Sequence, residues 1–349
     1  MMPTGVLESL AADMVAYRET GLSLIEVSHR GADYDRVHQE TIGLFRELMR
    51  VPEEYSVLFL GGGATMQFSM LPMNLLLPGG TADYVDSGAW ALKAINEARK
   101  VGKVNVLWSG EEDHYRLLPP ADALKPTVGS SYLHITSNET IGGIQWERFP
   151  DTGDVPLVAD MSSDILSRPV DVSQFGLIYA GAQKNLGPAG LTVVIIQDEL
   201  LKRCSNQLGS YLSYSVHAKA NSLYNTPPVF PIWAMNLVLQ GIKAQGGAAV
   251  LAGENQKQAE ELYRAIDGSG GFYRCPVRPE FRSRMNVVWR LAEEDKESLF
   301  IRESAAAGLV GLKGHRSVGG CRASLYNAMT MEGVRRLTSF MADFARHNA

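Results

Sequence analysis

A chain of 349 residues, 45% apolar and 20% charged, with mean hydropathy near zero, can supply one large core plus a smaller domain. It has no run of the roughly eighteen apolar residues that a membrane span needs, no secretion signal in MMPTGVLESL, and, at a formal charge of -5 with both signs interspersed, no basic stripe for nucleic acid. Cys204, Cys275 and Cys321 are widely spaced and never in C-x-x-C register, so neither a disulfide framework nor a metal site is indicated, and a cytoplasmic location is expected.

Apolar spacing predicts helices over 6–18 and 36–49, bracketing a strand-like piece, Leu24 to Val27, that ends in Ser28-His29-Arg30-Gly31. From residue 55 the pattern alternates between strand and helix. Ser56–Leu60 reads as a buried strand that stops at Gly61-Gly62-Gly63, and a helix follows from Ala64. Further apolar runs at 82–85, 104–107, 132–135, 156–159, 177–180 and 191–196 are mostly continuous, as in strands covered by helices on both faces. The expectation is an α/β fold with a mostly parallel sheet.

After Asn225-Thr226-Pro227-Pro228 the chain turns helical around Trp233–Leu239, and Gly246, Gly247 and Gly253 punctuate the approach to a long polar helix. A second series follows: strand at 285–291, helix at 297–307, strand at 321–326 and a closing helix at 330–346. The division is placed near residue 253, giving a large domain over 1–253 and a small α/β domain over 254–349.

Ligands of open α/β sheets bind beyond the carboxyl ends of the strands. The run Val155–Ala159 ends in Asp160, and the run Gly176–Ala182 ends in Gln183-Lys184-Asn185. Neighbouring parallel strands would bring Asp160 and Lys184 to one edge. Chemistry based on pyridoxal phosphate (PLP) asks for such a pair: a lysine amine to carry the cofactor and shuttle a proton, and an aspartate to keep the pyridine nitrogen protonated. Spacing alone leaves Asp160 open as a cap or turn former, and Lys184 as a solvated lysine. Gly62-Gly63-Ala64-Thr65, between a strand and a helix, suits an anion, although a glycine triplet is also an ordinary tight turn. It is neither G-x-G-x-x-G nor a P-loop.

The motifs themselves resemble a known family. Val158-Ala159-Asp160-Met161-Ser162-Ser163 and the run from Ile178 to Gly190, IYAGAQKNLGPAG, are closely similar to phosphoserine aminotransferases, a branch of the fold-type I, class V PLP enzymes. So are Ser28-His29-Arg30-Gly31, Ser137-Asn138-Glu139-Thr140-Ile141, Asn225-Thr226-Pro227-Pro228 and GHRSVGGCRASLYNA from Gly314 to Ala328. The resemblance runs in order along nearly the whole chain.

It implies a large domain with a seven-stranded type of sheet, a smaller C-terminal domain, and amino transfer between L-glutamate and 3-phosphohydroxypyruvate that yields O-phospho-L-serine and 2-oxoglutarate. Lys184 matches the Schiff-base lysine and Asp160 the partner of the pyridine nitrogen. Gly63, Ala64 and Gln183 match phosphate contacts, Thr140 a residue bordering the cofactor ring, and Trp90 the aromatic stacked on it. Asn225 and Thr226 match residues that reach the phosphate of a neighbouring subunit's cofactor, so a homodimer with shared sites is implied. Arg322 matches the partner of the substrate α-carboxylate. His29 and Arg30, with His315 and Arg316 from the other subunit, match the site for the distal phosphate or carboxylate. Arginine suits such oxyanions because its planar fork binds two oxygens at once.

Relatives begin with a further short segment before the position of Met2-Pro3, so the natural chain is expected to be longer. An alanine–glyoxylate type of aminotransferase would not need the cluster of Arg30, His315 and Arg316. A cysteine desulfurase would need a mobile cysteine, whereas Cys321 lies in an apolar strand pattern. A non-catalytic PLP-binding module would have no call for Lys184, Asp160 and the cation cluster together. G-x-S-x-G and H-E-x-x-H are absent, and the seven histidines are scattered.

Overall fold

Continuous runs of Val, Ile, Leu and Ala build the centre of the main sheet, and the computed structural model, described over residues 2–348, buries them on both faces. In chain order its strands are β1 (Tyr55–Gly61), β2 (Thr81–Asp86), β3 (Lys103–Ser109) and β4 (Leu133–Thr136). A two-residue ladder of β5 (Asn138–Glu139) with β6 (Ile144–Gln145) follows, and then come β7 (Leu157–Asp160), β8 (Leu177–Gly181) and β9 (Leu191–Gln197). The sheet has seven strands in the order β1-β9-β8-β7-β4-β2-β3. Only β9 runs against its neighbours, pairing antiparallel with β1 and β8, and the remaining pairs are parallel.

Helices cover both faces. Residues of α1 (Thr4–Asp13) and α2 (Ala32–Met49) join one apolar cluster with Val57, Phe59, Ile135 and Ile178. Residues of α3 (Gly63–Leu75) and α4 (Ala89–Ala98) join a second cluster with Leu58, Leu60, Val158 and Tyr179 on the opposite face. The alternation of Leu58 and Phe59 between clusters is the period-two geometry of a strand. Short α5 (Asp198–Lys202) and α6 (Tyr214–Lys219) lead to α7 (Val229–Ala244), which packs along α2. The 20-residue α8 (Ala248–Asp267) then carries the chain to a three-stranded antiparallel sheet of β10 (Tyr273–Arg274), β11 (Asn286–Leu291) and β12 (Cys321–Ser324). With α9 (Glu294–Ala306) and α10 (Met331–Asn348) this sheet encloses a separate aromatic core. There Trp289 meets Phe300 edge-to-face at 6.0 Å, and Phe300 meets Phe344 at 5.1 Å.

Three local expectations are corrected. Leu24–Val27 forms turns, not a strand. Glu26 N–H donates to the Ser23 carbonyl, and the Glu26 carboxylate accepts from Ser23 N–H at 3.0 Å, so the local backbone is satisfied without a ladder. The first helix spans Thr4–Asp13 rather than reaching residue 18, and Tyr17 N–H and Thr20 N–H close a tight turn beyond it. Gly253 does not interrupt the chain, because α8 runs through it. Its Cβ position is open, so glycine there answers no close approach.

The two sheets are tied by a buried polar joint. Asn138 of β5 donates to Asn286 Oδ1 of β11 at 2.8 Å, Ser283 Oγ donates to Asn138 Oδ1 at 2.5 Å, and Asn286 Nδ2 reaches Ser324 Oγ at 3.0 Å. Replacing one member leaves buried partners unsatisfied. Asn286→Ala is therefore expected to lower stability by about 1–3 kcal/mol, and urea unfolding followed by far-UV circular dichroism measures it.

Candidate active site

Strand register brings the two expected groups together. Asp160 pairs with Thr136 of β4 and Tyr179 of β8, at the carboxyl edge of the sheet, and Lys184 follows β8 after two residues, Ala182 and Gln183, in the turn beyond it. Both line a cavity of about 370 Å³. Gly63, Ala64, Gln183, Trp90 and Thr140 line the same cavity, so every position matched to the subunit's own cofactor site converges on one space. The cavity volume falls in the range of small-molecule sites.

Each wall has a local cause. Gly62 (φ 94°) and Gly63 (φ 65°) adopt the left-handed conformation that favours glycine, and a Cβ on Gly62 would lie 2.6 Å from Met66 Cβ. The turn starts α3, whose first turn has no acidic residue and whose N-cap has no side-chain oxygen, leaving amide N–H groups for an anion. Asp160 is 5% exposed, and its Oδ1 accepts from Ser162 N–H at 2.9 Å. The hydroxyl of Ser162 accepts in turn from Gly181 N–H at 3.0 Å, which joins the ends of β7 and β8. Burial raises the Asp160 pKa, while Ser162 and the charge of Lys184 oppose the rise. Lys184 Nζ donates to Thr140 Oγ1 at 2.6 Å and lies 5.4 Å from the centre of the Trp90 ring. Burial lowers its pKa against the pull of Asp160 and Glu139, so the amine loses its proton more readily than a surface lysine does.

A second cavity of about 420 Å³ opens between the large sheet's edge and the small sheet, with Arg322 and His315 in its lining. Arg322 Nη1 donates to the Thr140 carbonyl at 3.2 Å, so Thr140 stands between the lysine and the arginine. Cys321, beside Arg322, is 2% exposed in the small core, and burial pushes its thiol up to about 12. That environment suits packing, not nucleophilic sulfur chemistry.

The other expected residues do not meet here within one chain. His29 is half-buried and Arg30 exposed in the turn before α2, Asn225 is half-buried and Thr226 exposed before α7, and Arg316 is exposed on the outer side of the His315 loop. None of the five lines either cavity.

Sequence reasoning missed Ser162, whose signal is the D-x-S spacing that lets a serine amide bond an aspartate two residues earlier. It also missed His114, Arg116 and Arg290, three further cationic side chains around the second cavity. The loop after β3 that carries His114 and Arg116 leaves the same carboxyl edge, which is the signal that places them. Glu139, whose carboxylate accepts from backbone N–H groups of α4, was passed over within a quoted motif. Among the described residues no cluster of His, Cys, Asp and Glu could hold a metal, and no helix is long and apolar enough to cross a membrane.

The class-V aminotransferase family matches residues 1–337. A phosphoserine aminotransferase of Lysinibacillus sphaericus is 50% identical over 343 residues, 98% of this chain and 95% of that protein. The solved phosphoserine aminotransferase of Bacillus circulans subsp. alkalophilus superposes with a TM-score of 0.98 at 50% identity, covering 100% of this chain and 97% of that one. The PLP-bound phosphoserine aminotransferase of Trichomonas vaginalis superposes with a TM-score of 0.89 at 36% identity, covering 98% and 97%. With its seven-stranded sheet, its glycine turn and its Asp160–Lys184 edge, the chain belongs to the phosphoserine aminotransferase family of class-V aminotransferases.

Proposed function

We propose that this chain catalyses PLP-dependent amino transfer between L-glutamate and 3-phosphohydroxypyruvate, forming O-phospho-L-serine and 2-oxoglutarate, with Lys184 as the cofactor lysine. The observation that carries the reading is the convergence of Lys184, Asp160, Trp90, Thr140 and the Gly62–Gly63 turn on one cavity. The residues fit the cofactor. The uncapped start of α3 and Gln183 suit a phosphate, the Trp90 ring offers a flat wall, and Asp160 Oδ2 accepts no hydrogen bond from the described residues, so it is free to meet a ring N–H.

When bound, PLP supplies an electron-withdrawing ring that stabilises negative charge at the substrate Cα. The chain's residues do the rest. Asp160 holds the proton on the ring nitrogen. Lys184 Nζ, its pKa lowered by burial, takes the proton from the substrate Cα and returns it on the other side of the transfer. Thr140 keeps Nζ at the cavity wall, and Arg322, anchored on the Thr140 carbonyl, faces the α-carboxylate. Glutamate would give up its amino group and leave as 2-oxoglutarate, water supplying the keto oxygen, and 3-phosphohydroxypyruvate would take that group in the same space and leave as phosphoserine, its own keto oxygen departing as water. A single site must therefore accept a distal carboxylate and a distal phosphate, and arginine and histidine suit both.

The distal-anion site is completed by a second copy of the chain. Arg30, Thr226 and Arg316 point to solvent in the single chain, and the segments around them expose large apolar side chains: Leu22, Ile25, Tyr224 and Val318 are 43–50% exposed. A pair of chains burying those segments would bring His29, Arg30, Asn225 and Thr226, and His315 with Arg316, to sites shared between subunits. The units of one chain divide around α8 into a large cofactor domain and a small C-terminal domain.

Lys184→Ala should fold normally and lose transamination by at least about a hundredfold, because the proton carrier is gone. Turnover of glutamate close to the parent's would remove Lys184 from the reaction. Asp160→Asn should still take up PLP but slow single-turnover transfer by at least about tenfold, or about 1.4 kcal/mol of barrier.

Arg30→Ala and Arg316→Ala should each lower kcat/KM for glutamate and phosphoserine alike, by the equivalent of about 1.5–3 kcal/mol. Mixing Lys184→Ala chains with Arg316→Ala chains should restore about one quarter of parental activity, since half of randomly mixed dimers are hybrids with one intact site. Hybrids that form but stay inactive would place Arg316 in its own subunit's site.

A further inference from the structure

Helix α4 carries Trp90 in its first turn, yet nothing local caps that helix. Its N-cap is Gly88, it has no side-chain cap from that residue, and no acidic side chain lies in its first turn. The cap comes instead from Glu139 on β5. Oε1 of Glu139 accepts from Ala91 N–H at 2.8 Å, and Oε2 accepts from Trp90 N–H at 3.2 Å. Glu139 is fully buried, and a Cβ on Gly88 would stand 2.8 Å from its carboxyl carbon, so glycine at 88 makes the space for the carboxylate.

A stability cap needs none of this. Asn or Ser at an N-cap is the usual local way to satisfy such amides, and it buries no charge. The sequence instead brings a carboxylate across from the strand pair that also holds Thr140, the acceptor of Lys184 Nζ. Lys184 in turn lies 5.4 Å from the centre of the Trp90 ring. Two consecutive side chains, Glu139 and Thr140, thus connect the aromatic wall of the cavity with the lysine at its floor.

The charges around it are few. Lys184 is faced by Glu139 from β5, by Asp160 from the end of β7, by Asp164 from the turn beyond it and by Arg322 from β12. Glu139 is faced by Asp160 and Lys184, and the phenols of Tyr115 and Tyr179 lie close enough to feel its charge. Lys93 sits over the Trp90 ring at 4.2 Å. Burial pushes Glu139 up to about 7, against the two amide bonds and Lys184, which favour the ionised form.

We propose that Glu139 is a positioning residue of the transamination site: its carboxyl group, bonded to the first-turn amides of α4, seats Trp90 against the cofactor ring and, in its ionised form, adds a second negative charge, beside that of Asp160, one residue from the Thr140 hydroxyl that holds the Lys184 nitrogen. This rests on the reading of Lys184 as the cofactor lysine. Glu139 acts through Trp90 and Lys184, and its two duties are separable, because one needs reach and the other needs charge.

The test compares the PLP-loaded parent with E139Q and E139D. Protonation of the Lys184-bound nitrogen is read from the pH at which the cofactor's visible band changes, and cofactor affinity from absorbance titration of the apo-proteins. E139Q keeps the reach and loses the charge, so its spectral transition should move to lower pH by about one unit. Its amide puts an NH2 donor where one carboxylate oxygen accepts, so one of the two N–H bonds is lost or weakened and cofactor affinity should also fall by about fivefold. E139D keeps the charge and loses the reach. Its transition should stay within about 0.3 units of the parent's, inside the spread expected of a retained charge, while affinity falls at least as far as in E139Q. A purely structural cap would lower the thermal midpoint of both variants and leave the transition of E139Q where the parent has it, and that result overturns the proposal. If E139Q does not fold, an E139D affinity equal to the parent's overturns it. Borohydride reduction followed by peptide mapping of the parent keeps the two readings apart, because PLP not fixed to Lys184 would defeat the functional reading itself.

Discussion

The site is built around an electrostatic constraint: one amine must be kept buried, close to carboxylates, without forming an ordinary ion pair with any of them. Lys184 Nζ donates to a neutral hydroxyl, Thr140 Oγ1, while Asp160 is engaged by Ser162 and Glu139 by the amides of Trp90 and Ala91. Each carboxylate is thereby held by backbone N–H groups rather than by the lysine. A direct buried pair would deepen the charge on the amine and oppose its use as a base, whereas burial beside carboxylates that are engaged elsewhere leaves its pKa lowered. In the proposed chemistry the same amine must carry the cofactor and later move a proton, and both tasks need a nitrogen that can be neutral.

The fold meets this constraint through the order of its strands. β7 and β8 are parallel neighbours, so Asp160 and Lys184 leave the sheet at one edge, and β4 on the other side of β7 continues into β5 with Glu139 and then into the turn that holds Thr140. The reversed strand β9 closes the sheet against β1, whose end feeds the glycine turn and α3. Strand ends alone would leave a mobile edge. The joint of Asn138, Ser283 and Asn286 ties β5 to the small sheet, and Arg322 on β12 reaches the Thr140 carbonyl. The small domain thus contacts the same two-strand ladder that holds the acceptor of the lysine.

Much of this was legible from the sequence, and the exceptions have physical reasons. Unbroken apolar runs mark strands buried on both faces, which is why the central strands and the meeting of Asp160 with Lys184 could be anticipated from where those runs end. Leu24–Val27 misled because a four-residue apolar patch has no period of its own, and a carboxylate three residues from Ser23 satisfied the backbone locally. Gly253 misled because glycine within a 20-residue helix costs about 1 kcal/mol, too little to stop a helix that packs on two cores. The positions that family motifs match to one subunit's cofactor site all line one cavity. Glu139 was invisible in its role, because its partners lie 48 and 49 residues away and are backbone amides, which carry no residue signature.

The residues that fail to meet are as informative as those that do. A single chain gathers Lys184, Asp160, Trp90, Thr140 and the glycine turn in one cavity, with Arg322 in the lining of the next. Arg30 and Arg316, matched to the distal anion, stay on the surface, in segments that also expose Leu22, Ile25 and Val318. Burying several arginines and histidines together inside one chain would set like charges against each other with no ligand to balance them during folding. In the proposed dimer, bringing them together only on association would put that cost after the large core has formed, and apolar contacts at the same segments would offset it. A divided anion site is therefore the arrangement expected when a pocket must be strongly cationic for its substrates, yet each chain must fold before a substrate arrives.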